Sequence, residues 1–91
     1  MKLHILGSSS KGNGYILDGS TESLIIEAGV KLLEIKRALD FNYSKIAACI
    51  MSHCHNDHAR YAAEYAKAGI KVLALQATLE AKGIGRNCMA V

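Results

Sequence analysis

Polar and apolar residues alternate from Lys2 to Leu6, with Leu3 and Ile5 on one side, until Gly7 interrupts them. A two-residue period predicts a strand. Gly7-Ser8-Ser9-Ser10-Lys11-Gly12-Asn13-Gly14 reads as a turn-rich loop, Tyr15 to Leu17 as a second strand, and Asp18-Gly19-Ser20 as a hairpin-type turn. Leu24-Ile25-Ile26 is a third, buried strand. After Gly29 the period lengthens: Leu32, Ile35 and Leu39 recur at i, i+3 and i+7, with Glu34, Lys36, Arg37 and Asp40 on the opposite side, which predicts an amphipathic helix.

Lys45 to Met51 is short, apolar and bounded by polar residues, as expected of a strand covered on both faces, and Ser52 to His58 is its downstream loop. From about Ala59 to Ala68 a stripe of Ala59, Ala62, Ala63 and Ala66 predicts a helix packed closely on the sheet, stopped by Gly69. Val72 to Leu75 reads as another strand and Ala77 to Lys82 as a short helix ended by Gly83. Strand alternating with helix implies right-handed crossovers and at least one parallel pair. The fold class is therefore α/β, grading into α+β.

With 91 residues the chain has room for one small core. Only about 64% of its surface can leave water on folding, so marginal stability is expected. Hydrophobic residues at 51% and charged ones at 21% exclude a disordered polymer, and the absence of proline excludes a Pro-rich docking segment. The net charge of +3 comes from scattered Lys and Arg, so charge alone does not mark a nucleic-acid binder. The longest apolar run, Ile46 to Met51, is far short of the roughly 20 residues of a membrane helix, and the N-terminus lacks a signal-like apolar region. Three cysteines, an odd number, fit a reducing compartment, so a soluble cytoplasmic protein with no membrane partner is expected.

Chemistry is concentrated in His53-Cys54-His55-Asn56-Asp57-His58, which holds three of the four histidines. In an extended segment, residues two apart point the same way, so His53 and His55 can offer nitrogens to one ion at about 2.0–2.1 Å. Asp57 and His58 can reach a second ion beside it, and this donor set suits zinc (Zn2+), manganese (Mn2+) or iron. A loop of hydrogen-bonded histidines is the bland alternative, and a structural zinc site using Cys54 or Cys49 matches no finger or knuckle spacing. Gly7 and Gly12 have the spacing of a phosphate loop, but Asn13-Gly14 follows where Lys and then Ser or Thr are required. Ser8, Ser9, Ser10 and Asn13 are candidate substrate-binding residues at a turn beside the metal cleft, or a plain connector. His4 is expected to be structural and Cys49 an inert buried thiol.

An HxHxDH motif after a buried strand, preceded by the glycine-ended Leu24-Ile25-Ile26-Glu27-Ala28-Gly29, resembles the metallo-β-lactamase superfamily. The opening Gly7 to Asn13, with Leu32 to Phe41 as the first helix, is similar to its WalJ or YycJ-like branch of metal-dependent hydrolases. The resemblance runs from Met1 to about Leu75. It implies an αββα sandwich, nuclease-like activity on phosphodiesters, His53 and His55 on a first metal, and Asp57 and His58 on a second. Asp57 would also orient or deprotonate the attacking water as the catalytic residue. Glu27 stands where the family usually has an aspartate in that strand-end motif, which implies a supporting role for it at the site's edge.

The resemblance further implies that residues 1–91 are one partial domain, the N-terminal half, since the family's fold has two αβ halves and its remaining ligands lie downstream. After His58 there is no histidine or aspartate, leaving Glu64, Glu80 and Cys88 as conventional ligands. The chain is expected to be a fragment or a truncated gene product, with partial or absent metal and little activity alone. Its partner is expected to be a second copy, as a homo-oligomer, or the missing C-terminal half, with nucleic acid as the complete protein's substrate. Two other classes stand beside the hydrolase: a noncatalytic remnant acting as a metal-binding or self-associating module, and a small nucleotide-binding αβ module with phosphate contacts at Gly7 to Gly14.

Overall fold

A computed structural model describes residues 1–9, 12–52, 61–74 and 88–90. The strands are β1 (Lys2–Ser9), β2 (Gly12–Asp18), β3 (Ser23–Ile26), β4 (Ile46–Ile50), β5 (Val72–Ala74) and β6 (Cys88–Ala90). Helix α1 (Leu32–Ala38) follows β3, a 3-10 turn (Tyr43–Lys45) precedes β4, and helix α2 (Ala62–Lys67) lies between β4 and β5. The six strands form one mixed sheet in the order β1-β2-β3-β4-β5-β6. The first two pairings are antiparallel and the last three parallel, which includes the parallel pair that the strand-helix alternation predicts.

Cross-strand partners share a face, so the register sorts the residues into rows. Ile16, Ile25, Cys49 and Val72 are aligned across β2 to β5, and all four are fully buried. Against this row pack Leu32, Ile35 and Leu39 from α1 and its C-cap, and Ala62, Tyr65 and Ala66 from α2. The i, i+3, i+7 reading of the first helix is thus its buried stripe. In the second helix Ala62 and Ala66 face the sheet while Ala63 is exposed; Ala59 lies outside the described residues. Gly69, at φ 92, ends this helix as expected, because that backbone conformation is costly for other residues.

The opposite face carries Leu3, Leu17, Leu24 and Ala48 in one row and Ile5, Tyr15, Ile26, Ile50 and Leu73 in the next. Leu3 is 56% exposed, Ile5 64% and Ile50 40%. One face of the sheet is therefore helix-covered, while the other presents apolar residues outward.

Three expectations are corrected. The β4 strand is not covered on both faces: Cys49 lies under the helices, but Ala47 and Ile50 are exposed. Gly7 does not end the first strand, and Gly7 to Gly14 is not simply a loop: β1 continues to Ser9, β2 starts at Gly12, and Gly7↔Gly14, Ser8↔Asn13 and Ser9↔Gly12 are paired. A register shift between Ile5 and Gly7 marks a bulge. Glycine is retained there by tertiary packing. A Cβ on Gly12 would overlap the carbonyl oxygen of Gly29, and one on Gly14 would overlap the side chain of Val30. The third correction is β6, whose three residues are too few for any periodicity to announce. The Ala77 to Lys82 helix lies outside the described residues.

Candidate functional site

Parallel pairing brings the C-terminal ends of β3 and β4 together, with Ile26 opposite Ile50. In open α/β sheets such strand ends line the crevice in which ligands bind. The tip of the β1–β2 hairpin reaches the same end of the sheet, because Tyr15 is paired with Ile26 and residues 12–14 extend beyond it. The Gly29 amide donates to the Asn13 carbonyl at 2.8 Å, which fastens that tip to the turn after β3.

This turn, residues 27–30, is the hub of the region. Glu27 has φ 70, a left-handed conformation that costs about 1–2 kcal/mol for a residue with a Cβ. Its backbone N–H donates to the Ile50 carbonyl at 2.7 Å. Only 6% exposed, its carboxylate accepts a 3.0 Å bond at Oε1 from the Ser52 backbone N–H and a second from the Ser52 hydroxyl. The next carbonyl, of Ala28, accepts from the Tyr61 N–H at 2.8 Å, and the Tyr65 hydroxyl donates to the Val30 carbonyl. Burial, together with the nearby Glu27 charge, raises the Cys49 thiol well above its ordinary range; it is a fully buried free cysteine, the inert thiol expected from its core setting.

His53, His55, Asp57 and His58 lie outside the described residues, as does Ser10. Their flanks do not: Ser52 on one side and Tyr61 on the other are held by Glu27 and Ala28. Among the described residues no three His, Cys, Asp or Glu side chains gather as a metal-binding group. Ser8 and Ser9 are exposed on the last residues of β1, and Asn13 opposite them donates to the Ser9 carbonyl and accepts from the Tyr15 hydroxyl at 3.3 Å. Sequence spacing could not reveal the link between Glu27 and Ser52, 25 positions apart. The available signal was an acidic residue in the glycine-ended Leu24 to Gly29 segment.

At the other end of the sheet Asp18 forms a closed cluster. Lys45 Nζ lies 2.8 Å from its Oδ1, Ser23 Oγ donates to the same oxygen at 2.7 Å, and His4 Nε2 is 3.4 Å from Oδ2. Lys45 also donates to the Gly19 carbonyl at 2.9 Å. The bond from Lys45, then that from Ser23, holds the Asp18 carboxyl well below the usual carboxylate range. His4 thus has the structural setting its place in an alternating strand suggests.

No protein-family profile and no curated protein matches the sequence. Solved structures do. TMB-1 superposes at 15% identity with a TM-score of 0.68, over 98% of this chain and 51% of that one. Human tRNase Z, short form, gives 13% identity and a TM-score of 0.67 over 100% of this chain and 44% of its own. A metallo-β-lactamase from Pontibacter korlensis gives 16% identity and 0.66, covering 97% and 52%. Among the described residues no helix is long and apolar enough to cross a membrane. At these identities the likeness shows the fold: the chain carries the mixed α/β architecture of the metallo-β-lactamase fold and spans about half the length of the solved structures it matches.

Proposed function

We propose that this chain is the N-terminal αβ part of a metal-dependent hydrolase that acts on phosphodiesters, of the WalJ or YycJ-like kind. The observation that carries the reading is the HxHxDH motif, which begins three positions past Ile50, where β3 and β4 end together, on a metallo-β-lactamase fold. The imidazoles and carboxylate of the motif are the donor types that suit zinc or manganese. His53 and His55 would hold one ion, and Asp57 and His58 would hold another. Bound there, such an ion supplies a Lewis acid that polarises a phosphoryl oxygen and acidifies water. Asp57 orients the attacking water and accepts its proton, while Ser8, Ser9, Ser10 and Asn13 contribute hydroxyl and amide groups to the substrate. A nuclease-like substrate is supported by the branch resemblance and by a tRNase among the fold neighbours.

The open sheet face supports a partner: a second sheet layer, from another copy of this chain or from a complementary αβ half, covers Leu3, Ile5 and Ile50. The same face supports the second reading, a noncatalytic metal-binding or self-associating module. The cytoplasm is the proposed compartment.

Calorimetric titration with Zn2+ tests the metal site. Weak binding, lost in both His53→Ala and His55→Ala, is expected; binding that survives both substitutions contradicts it. Incubation with single-stranded DNA and Mn2+ should give little cleavage by the 91-residue chain, and robust Asp57-dependent cleavage would show that this part of the fold is catalytically sufficient.

A further inference from the structure

The open sheet face is built across β1 to β5, with one row running from Ile5 through Ile26 to Leu73 and the other from Leu3 to Ala48. No charged side chain stands in either row. Both helices pack on the opposite side of the sheet. Exposure on this face is not confined to its rim: Leu3 and Ile5 stand out on the edge strand β1, but Ile50 is 40% exposed on β4, which has a strand on either side. A contiguous apolar surface of this kind marks an interaction site, whereas single exposed side chains do not.

We propose that this face pairs with the same face of a second copy of the chain, sheet on sheet, as a closed two-fold dimer. Size, charge and shape point to that occupant. Strands about 4.8 Å apart and rows about 6.8 Å apart give a footprint of about 20 by 14 Å. Two such footprints in contact remove on the order of 1,000 Å² of accessible surface, about the least that a specific interface buries. Rows without charge select neither an acidic nor a basic partner. A twisted sheet is matched by another of the same hand, crossing at about −30°, and a second copy brings both that twist and equally uncharged rows. Self-complementary pairing of one patch closes at two subunits. Of the two partners proposed above, this selects the copy, and it requires no bound metal.

Sedimentation equilibrium of the 91-residue chain at micromolar concentrations, with EDTA present, tests the pairing apart from the metal. A dimer is expected. Ile5→Lys should raise its dissociation constant by about 100-fold or more, because the two-fold axis places the unpaired charge in the interface twice. Leu33→Lys, at an exposed leucine on helix α1, should leave the dimer unchanged. If Ile5→Lys does not fold, Leu3→Gln in the other row must weaken the dimer by about tenfold, and its failure to do so overturns the proposal. A monomer throughout the range overturns it and leaves the face to a different chain. A monomer that floats with phosphatidylcholine vesicles overturns it in favour of a lipid surface. Open-ended aggregates, a dimer that forms only with Zn2+, or a dimer indifferent to Ile5→Lys in a folded protein overturn it as well. A dimer that behaves as expected but binds no Zn2+ upholds the pairing and counts against the metal site alone.

Discussion

The two ends of the sheet each organise a carboxylate, and they do so in opposite ways. Asp18 is met by the Lys45 ammonium and the Ser23 hydroxyl, and its backbone lies within a regular strand. Glu27 is more deeply buried, sits on a strained backbone, and spends bonds on the chain segment that leads into the histidine motif. A strained conformation persists only where the surroundings over-determine it, and such places cluster at functional sites. The difference teaches that one end closes the fold on itself, while the other ties the turn after β3 to the chain leaving β4.

Truncating Tyr65 should strike the Glu27 end hardest. Its ring is fully buried and its hydroxyl holds the turn at Val30, so Tyr65→Ala should cost about 3–5 kcal/mol in a denaturant melt. Hydrogen exchange would show whether the loss is local: the Gly29 amide should lose protection before the Gly19 amide, and equal loss at both would erase the distinction between the ends. Next in size is Gly12→Ala. The added methyl meets the Gly29 carbonyl, and such overpacking should cost roughly 1–3 kcal/mol by the same measurement, against a neutral or stabilising result if the hairpin tip were a free loop.

Acid should act on the Asp18 end. Because the folded carboxyl titrates below its unfolded value of about 3.9, its contribution is complete above that pH and is lost as pH falls toward the folded value. Urea midpoints taken downward from pH 6 should fall through this window, and Asp18→Asn should flatten that part of the slope. An identical slope in the variant would mean that other carboxylates govern acid stability. The smallest effect belongs to Ser8→Ala and Ser9→Ala, exposed at the hairpin tip: within about 0.5 kcal/mol in stability, so any larger change in nucleic-acid binding would sharpen their assignment as substrate contacts.

Much of the architecture was legible because it is local. Leu32, Ile35 and Leu39 announced α1, and the Ile46 to Met51 run announced β4. Gly7, by contrast, reads as a stop in any local scheme, although here the glycines let β1 and β2 run on beside Gly29 and Val30. The alternation of Leu3 and Ile5 revealed a strand but not which face the helices cover, since that depends on the order of all six strands. The HxHxDH pattern is a reading of residue types, and its residues lie outside the described ones. The Glu27 contact with Ser52 was not legible, because it exists only once β3 and β4 lie side by side.

His53 and His55, on the segment leaving β4, are proposed to bind a divalent ion. X-ray absorption at the zinc edge of the zinc-loaded chain tests it most directly. The expected result is a shell of nitrogen and oxygen donors at about 2.0–2.2 Å with imidazole scattering, diminished in His53→Ala. A sulfur shell at about 2.3 Å, pointing to cysteine ligands, would contradict the account.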